Sequence, residues 1–140
     1  MGFFTLELAR LVGVSGRVVA VDIQRKMLDS LGRRAASAGV RERLETRLAQ
    51  SDSLGLADLA GKVDFVLAFA MVHEMPSAAR FFQEAAWTMK PGAQMLLAEP
   101  AGHVKPALFD AELAAAAKDG LIVTDRPEIR RSHTALLNKL

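Results

Sequence analysis

Apolar residues recur along the chain with two different periods, and the two periods alternate. The helical spacing of Phe4, Leu8, Leu11 and Val12 predicts a first helix, which ends near Gly13. Beyond it, short apolar runs predict strands, and longer amphipathic stretches predict helices. The predicted strands cover residues 17–22, 44–49, 63–69, 94–99 and 121–124, and the predicted helices cover residues 25–38, 77–89 and 104–119.

Strands that alternate with helices of this length form βαβ units. We therefore expect an α/β fold with a doubly wound, mostly parallel sheet and helices on both of its faces. Lys90–Ala93 predicts a turn, because its proline and glycine suit one. Residues 131–137 fit either a last strand or a last helical turn. The chain has no linker and no repeat, so residues 1–140 are expected to form a single domain.

The amino-acid composition excludes several classes of protein and of binding site. Hydrophobic residues make up 51% of the chain and charged residues 24%, which is typical of a globular domain. No apolar run approaches the roughly 18 residues of a membrane span, and a net charge of +2 does not indicate nucleic acid. The absence of cysteine excludes disulfides and Cys-based zinc sites, and no metal site is expected. Glu7 and Arg10 interrupt the first apolar stretch, so we expect no secretory signal and a cytoplasmic location.

In sheets of this kind, ligands bind at the carboxyl ends of the strands. Asp22 ends a valine-rich strand, where a carboxylate can accept hydrogen bonds from both hydroxyl groups of a ribose. It follows Gly2 by about 20 residues, the spacing at which an acid follows the glycine loop of dinucleotide-binding proteins. The alternative is that Asp22 caps the helix that begins at Arg25.

Several short motifs resemble class I S-adenosylmethionine-dependent methyltransferases in order and spacing, over nearly the whole chain. Gly2-Phe3-Phe4-Thr5 resembles the tail of their glycine-rich loop, and Val19-Ala20-Val21-Asp22 resembles their second strand. Residues 63–69 resemble the fourth strand, and Met89-Lys90-Pro91-Gly92-Ala93 resembles the turn before the fifth. Within that family, the motifs most resemble those of small-molecule methyltransferases of the ubiquinone-biosynthesis branch.

The resemblance implies a Rossmann-like fold, S-adenosylmethionine as cofactor, S-adenosylhomocysteine as product and a small-molecule acceptor. It also implies a set of cofactor-binding positions. These are Gly2 in the loop, Asp22 and Ile23 at the ribose, Asp52 and Ser53 beside the adenine, and Phe69 and Ala70 near the methyl donor. Without the resemblance, Asp52 and Ser53 could form only a turn, and Phe69 could belong to the core.

The family's first strand and leading glycines have no counterpart here, so the resemblance implies an N-terminally truncated domain. In the family this strand lies between the second and the fourth. Three outcomes follow: the sequence is a fragment, residues 17–22 pair directly with residues 63–69, or another chain supplies the pairing in a homo-oligomer.

His73 follows the strand that ends near the methyl donor in the family, and it is the candidate catalytic base. The alternative is a loop histidine without chemistry. A His-Glu-x-x-His zinc motif is excluded because position 77 is Ser77. Glu99, at the end of the strand over 94–99, could bind substrate or face water.

Methyl transfer to a small molecule is the expected function. A nicotinamide-dependent oxidoreductase would also bind a ribose through an acid at the end of a strand. That hypothesis, however, predicts glycine or alanine three residues after Gly2, where the chain has Thr5. The third hypothesis is a non-catalytic partner subunit that keeps the fold.

Overall fold

A computed structural model describes residues 2–140, and the side chains from Phe4 onward. The chain divides into two compact units, one ending at Gly55 and the other formed by Leu56–Leu140. Each unit has its own sheet.

The first unit is a two-stranded parallel sheet with two helices. Its elements are α1 (Gly2–Leu11), β1 (Val18–Asp22), α2 (Arg25–Ser37) and β2 (Leu44–Leu48). Asp22 lies opposite Leu48 in the parallel register, so both strands end at the same edge. The loops that follow β1 and β2 therefore both begin at the same edge of this sheet.

Apolar residues at helical and strand spacing build the core of the first unit. Ala9 of α1, Ala20 of β1 and Leu31 of α2 are buried together there. The rest of this cluster consists of Ala35, Val40 and Leu44, with Leu6, Val18 and Ala38 packed against it. Burial of these side chains stabilises the unit through the hydrophobic effect.

The second unit is a four-stranded sheet in the order β3-β4-β6-β5. Its strands are β3 (Val63–Phe69), β4 (Met89–Pro100), β5 (Leu121–Asp125) and β6 (Ser132–Lys139). β3 is parallel to β4, whereas β6 is antiparallel to both of its neighbours, β4 and β5. Three of the four strands thus run in one direction, as a mostly parallel sheet requires.

Two helices, α3 (Ala78–Thr88) and α4 (Pro106–Ala117), complete the second unit. Ser77 caps α3, because its hydroxyl oxygen accepts a 3.1 Å hydrogen bond from the Arg80 N–H. Pro106 occupies the first turn of α4, where its missing N–H costs nothing. Phe82, Met95, Leu97, Leu121 and Leu137 are fully buried and form the centre of the core.

The strands and helices expected from the sequence are all present, and residues 132–139 form a strand. The predicted turn at Lys90–Ala93 takes another form, because β4 already begins at Met89. Met89 pairs with Val63 and Gln94 pairs with Phe65, so the intervening residues bulge out of the ladder. Gly92 has a φ of 84° there, a conformation that glycine adopts at no steric cost.

β1 has β2 as its strand neighbour, and β3 has β4, so the two belong to different sheets. Direct pairing of residues 17–22 with residues 63–69 was one of the three expected outcomes. It does not occur within residues 2–140.

Candidate functional site

Asp22 is positioned in the first unit by its own loop. Its Oδ1 atom accepts a 2.8 Å hydrogen bond from the backbone N–H of Gln24, which fixes the carboxylate at the end of β1. The N-cap residue of α2 is Gln24, not Asp22, and its side chain makes no capping bond. Asp22 is half-buried. Within the described residues, its Oδ2 atom makes no hydrogen bond and can accept one from a ligand hydroxyl.

Residues 50–53 form a tight turn directly after β2. The Gln50 N–H donates to the Ser53 carbonyl at 3.0 Å, and the Ser53 N–H donates back at 3.4 Å. The Ser53 hydroxyl accepts a 3.1 Å hydrogen bond from the Gly55 N–H, while the Asp52 side chain is exposed. The sequence alternative of a turn at this point is thus confirmed, and a site at Asp52 and Ser53 stays a prediction.

Gly2 and Ile23, both predicted cofactor positions, lie at the ends of elements in the first unit. Gly2 is the first residue of α1, where backbone N–H groups lack helical partners. Ile23 directly follows β1 and is 62% exposed.

The end of β3 in the second unit carries the other predicted positions. Phe69 is its last residue and is half-buried. Ala70 follows with a φ of 56°, a left-handed conformation that costs a non-glycine residue about 1–2 kcal/mol. The Ala70 N–H donates to the Ala98 carbonyl at 2.7 Å, which ties this bend to β4. The bend turns the chain into the short 3-10 turn Val72–Glu74, which contains His73.

His73 is held by the carboxylate of Glu99, the penultimate residue of β4. Glu99 Oε2 lies 3.0 Å from His73 Nδ1 and accepts a 2.9 Å hydrogen bond from the His73 backbone N–H. Glu99 Oε1 accepts a 3.2 Å hydrogen bond from the Val72 N–H. The parallel register of β3 and β4 produces this arrangement, because it places the two strand ends side by side.

This contact determines which imidazole nitrogen is available. Glu99 accepts from backbone N–H groups, so the hydrogen on Nδ1 points at Glu99 and Nε2 keeps its lone pair. Nε2 lies 3.7 Å from Glu74 Oε1, beyond hydrogen-bonding distance, and the Glu74 side chain is 74% exposed. The His73 ring runs nearly parallel to that of His103, with centroids 6.5 Å apart. An imidazole in this state can accept a proton at Nε2.

Sequence reasoning was wrong about one alternative for Glu99 and missed Glu112. Glu99 is 0% exposed, so it does not face water. Glu112 lies on α4 and is 3% exposed; burial raises its pKa to about 8, and the neighbouring Glu99 adds to the shift. Its sequence signal was an acid at helical spacing from the apolar Phe109 and Ala116.

Residues 1–92 match a family described as a methyltransferase domain. The chain belongs to the methyltransferase-domain family. No curated protein sequence is significantly similar to it.

Solved structures with the same fold include methyltransferases. An S-adenosylmethionine-dependent methyltransferase from Aquifex aeolicus superposes with a TM-score of 0.84 at 19% identity, over 99% of this chain and 77% of that one. Geranyl diphosphate C-methyltransferase from Streptomyces coelicolor A3(2), crystallised with S-adenosyl-L-homocysteine, gives 0.76 at 11% identity, over 97% and 65%.

The [4+2]-cyclase SpnF has the same fold, with a TM-score of 0.74 at 18% identity. The match covers 90% of this chain and 50% of SpnF, so the chain spans half of that protein's length. At such identities the likeness shows the fold, and a fold by itself does not determine the reaction.

The family and the fold confirm the class I methyltransferase resemblance and the Rossmann-like α/β class. The expected cofactor agrees with the S-adenosyl-L-homocysteine of the Streptomyces enzyme. Neither the oxidoreductase nor the partner-subunit hypothesis is favoured by these matches. Within residues 2–140, no helix has the length and apolar character to cross a membrane, and no cluster of metal-ligating side chains is found.

Proposed function

We propose that this chain transfers a methyl group from S-adenosylmethionine to a small-molecule acceptor, and that residues 1–140 act as a single methyltransferase domain. The observation that carries the proposal is the carboxylate of Asp22 at the end of β1, in a chain of the methyltransferase family. S-adenosylmethionine supplies the activated methyl group and leaves as S-adenosylhomocysteine.

Asp22 fits the ribose of this cofactor. Its Oδ1 atom is occupied by the Gln24 N–H, so the carboxylate has a fixed direction before any ligand arrives. A preorganised acceptor loses less conformational entropy on binding than a mobile one. We assign Oδ2 of Asp22 to a ribose hydroxyl and the exposed side chain of Ile23 to the apolar surface beside it.

The remaining cofactor positions follow from the strand ends. Asp52 and Ser53 lie in the turn that follows β2, which ends at the same edge as β1, and we assign them to the adenine. We assign Gly2, at the start of α1, to a position where the backbone can approach the cofactor closely. In the second unit, Phe69 and Ala70 are assigned to the methyl donor, since β3 ends there.

His73 is the proposed general base. Glu99 holds the hydrogen on Nδ1, so Nε2 can take the proton that the acceptor loses as its oxygen or carbon gains the methyl group. Such a base assists hydroxyl groups and weakly acidic C–H groups. A neutral amine is nucleophilic without first losing a proton, so it depends less on such a base. We therefore propose an alcohol, a phenol or a carbon acid as the acceptor.

Calorimetric titration of S-adenosylhomocysteine into the 140-residue chain tests the cofactor assignment. We expect micromolar binding that weakens at least tenfold in Asp22→Ala, because a charge-assisted hydrogen bond contributes about 1.5–3 kcal/mol. Asp29→Ala is the matched control, since Asp29 is an exposed acid on α2. Absence of binding to the folded wild-type chain, or equal binding by Asp22→Ala, would contradict the proposal.

A further inference from the structure

The second unit contains a cleft of about 470 Å³ that is lined by residues other than those assigned to the cofactor. It lies between the first turn of α4 and the segment that joins β5 to β6, and Phe109 and Ile129 supply part of its apolar wall. Small-molecule sites in proteins have volumes of about 300–1,000 Å³, so the cleft has a suitable size for a small ligand.

The sheet register places this cleft next to the candidate base. His133, one of the lining residues, lies directly opposite Glu99 in the antiparallel pairing of β4 with β6. Residues that lie directly opposite each other project from the same face of a sheet, with their Cβ atoms about 4.5–5.5 Å apart. The Glu99 carboxylate in turn contacts the His73 imidazole. The cleft and the candidate base are therefore close enough for one small molecule to contact both.

The imidazole of His133 is a hydrogen-bond acceptor toward a ligand. Its Nε2 atom lies 2.9 Å from the carbonyl oxygen of Val104. A carbonyl oxygen only accepts, so the ring hydrogen is on Nε2, and Nδ1 of the neutral ring keeps its lone pair. The ring also contacts the Phe109 ring, with centroids 5.5 Å apart. These two contacts hold the half-buried imidazole in one orientation.

The hydroxyl groups of the cleft have likewise used their hydrogens. The Ser132 hydroxyl donates to the carbonyl oxygen of Arg130 at 3.3 Å, and the Thr134 hydroxyl donates to the carbonyl oxygen of Pro127. Each oxygen keeps lone pairs that can accept a further hydrogen bond. The uncharged polar side chains of the cleft therefore accept hydrogen bonds from a ligand and do not donate them.

The charged side chains of the cleft carry an excess of negative charge. Asp110 and Glu128 line it together with Arg126, so two acids face one base. Among the described residues, neither acid forms an ion pair. A ligand that donates hydrogen bonds and carries a positive charge matches both the acceptors and the charge of this cleft.

We propose that the cleft binds an ammonium group of the methyl acceptor, which is then an alcohol, phenol or carbon acid that also carries a protonated amine. The inference rests on the proposed function, since His73 acts on the other end of the same molecule. The ammonium group donates N–H hydrogen bonds to His133 Nδ1 and to the carboxylates of Asp110 and Glu128. It has no lone pair, so it does not compete with the oxygen or carbon for the methyl group.

Nuclear magnetic resonance titration of the full chain with three phenols of similar size tests the inference. The probes are tyramine, which carries an ammonium group, para-ethylphenol, which is neutral, and para-hydroxyphenylpropionate, which carries a carboxylate. The chain has 3 histidines, so His73→Asn and His103→Asn identify the imidazole signals of His133 and His73. At neutral pH we expect tyramine to bind at least tenfold more tightly than either match and to shift the signals of both His133 and His73.

A pair of matched double variants locates the charge that selects the ammonium group. Asp110→Asn combined with Glu128→Gln removes both acids of the cleft, and we expect the tenfold preference for tyramine to fall below threefold. Asp64→Asn combined with Asp119→Asn is the control, because it removes two acids from positions outside the lining of the cleft and should keep the preference. Should a double variant not fold, the comparison of the three probes on the wild-type chain decides by itself.

Equal affinity for tyramine and para-ethylphenol, or an unchanged preference in the folded variant that lacks Asp110 and Glu128, would overturn the inference. So would tyramine binding that shifts the signals of only one of His133 and His73, because the acceptor has to contact both. These titrations contain no S-adenosylmethionine and do not depend on methyl transfer. A chain that binds tyramine as expected but methylates nothing would contradict the proposed function alone, so the two failures can be told apart.

Discussion

The Nδ1 atom of His73 lies 3.0 Å from Oε2 of Glu99, and the same oxygen accepts the backbone N–H of His73. One buried carboxylate therefore fixes both the ring and the main chain of the candidate base. Glu99 and His73 come from the carboxyl ends of two neighbouring parallel strands, so the sheet register sets this geometry.

Removing the Glu99 carboxylate should destabilise the protein. Glu99→Ala leaves the buried Val72 N–H and the His73 N–H without their acceptor, and each unsatisfied group costs about 1–3 kcal/mol. We expect the free energy of unfolding, measured by urea denaturation, to fall by about 2–6 kcal/mol. Glu128→Ala, at an exposed position, is the control and should change it by less than about 0.5 kcal/mol. Equal stability of the two variants would show that Glu99 does not hold this loop.

The raised pKa of Glu112 makes stability depend on pH. Burial lifts this pKa from 4.5 to about 8, so between these values the folded protein binds more protons than the unfolded chain. Stability from this group is thus complete below about pH 4.5 and declines as the pH rises toward 8.

Glu112→Gln removes this titration. Relative to that variant, we expect the wild type to lose about 3 kcal/mol of unfolding free energy between pH 5 and pH 7.5. Urea denaturation at both pH values measures the difference, with Glu128→Gln as the control. Parallel pH dependence of wild type and Glu112→Gln would mean that Glu112 is already ionised in the folded state.

Ala70 offers a test of backbone strain at the end of β3. Its φ of 56° is unfavourable for alanine and allowed for glycine. Ala70→Gly should therefore raise the unfolding free energy by up to about 1 kcal/mol, after the entropy of the more flexible unfolded chain is subtracted. Ala79→Gly, at an exposed position in α3, should instead lower it by about 1 kcal/mol. Destabilisation of similar size by both substitutions would argue against the left-handed conformation.

The sequence predicted the elements well because the buried strands are continuous apolar runs, as at residues 63–69. It left residues 131–137 open, since a short mixed segment acquires strand structure only through its antiparallel pairing with β4. Glu112 was missed for a related reason. Its role depends on which residues of other elements lie next to α4, among them Glu99. The spacing of residues within one helix carries no information about such neighbours.

Methyl transfer itself is the most direct test of the account. Radiolabelled S-adenosylmethionine is incubated with the chain and a panel of alcohols, phenols and carbon acids, and product formation is compared for wild type, His73→Asn and His103→Asn. The account predicts transfer to at least one of these classes, a loss of about 100-fold or more in His73→Asn, and little change in His103→Asn, whose ring lacks the Glu99 contact. Transfer by His73→Asn at the wild-type rate, with the same acceptor, would contradict it.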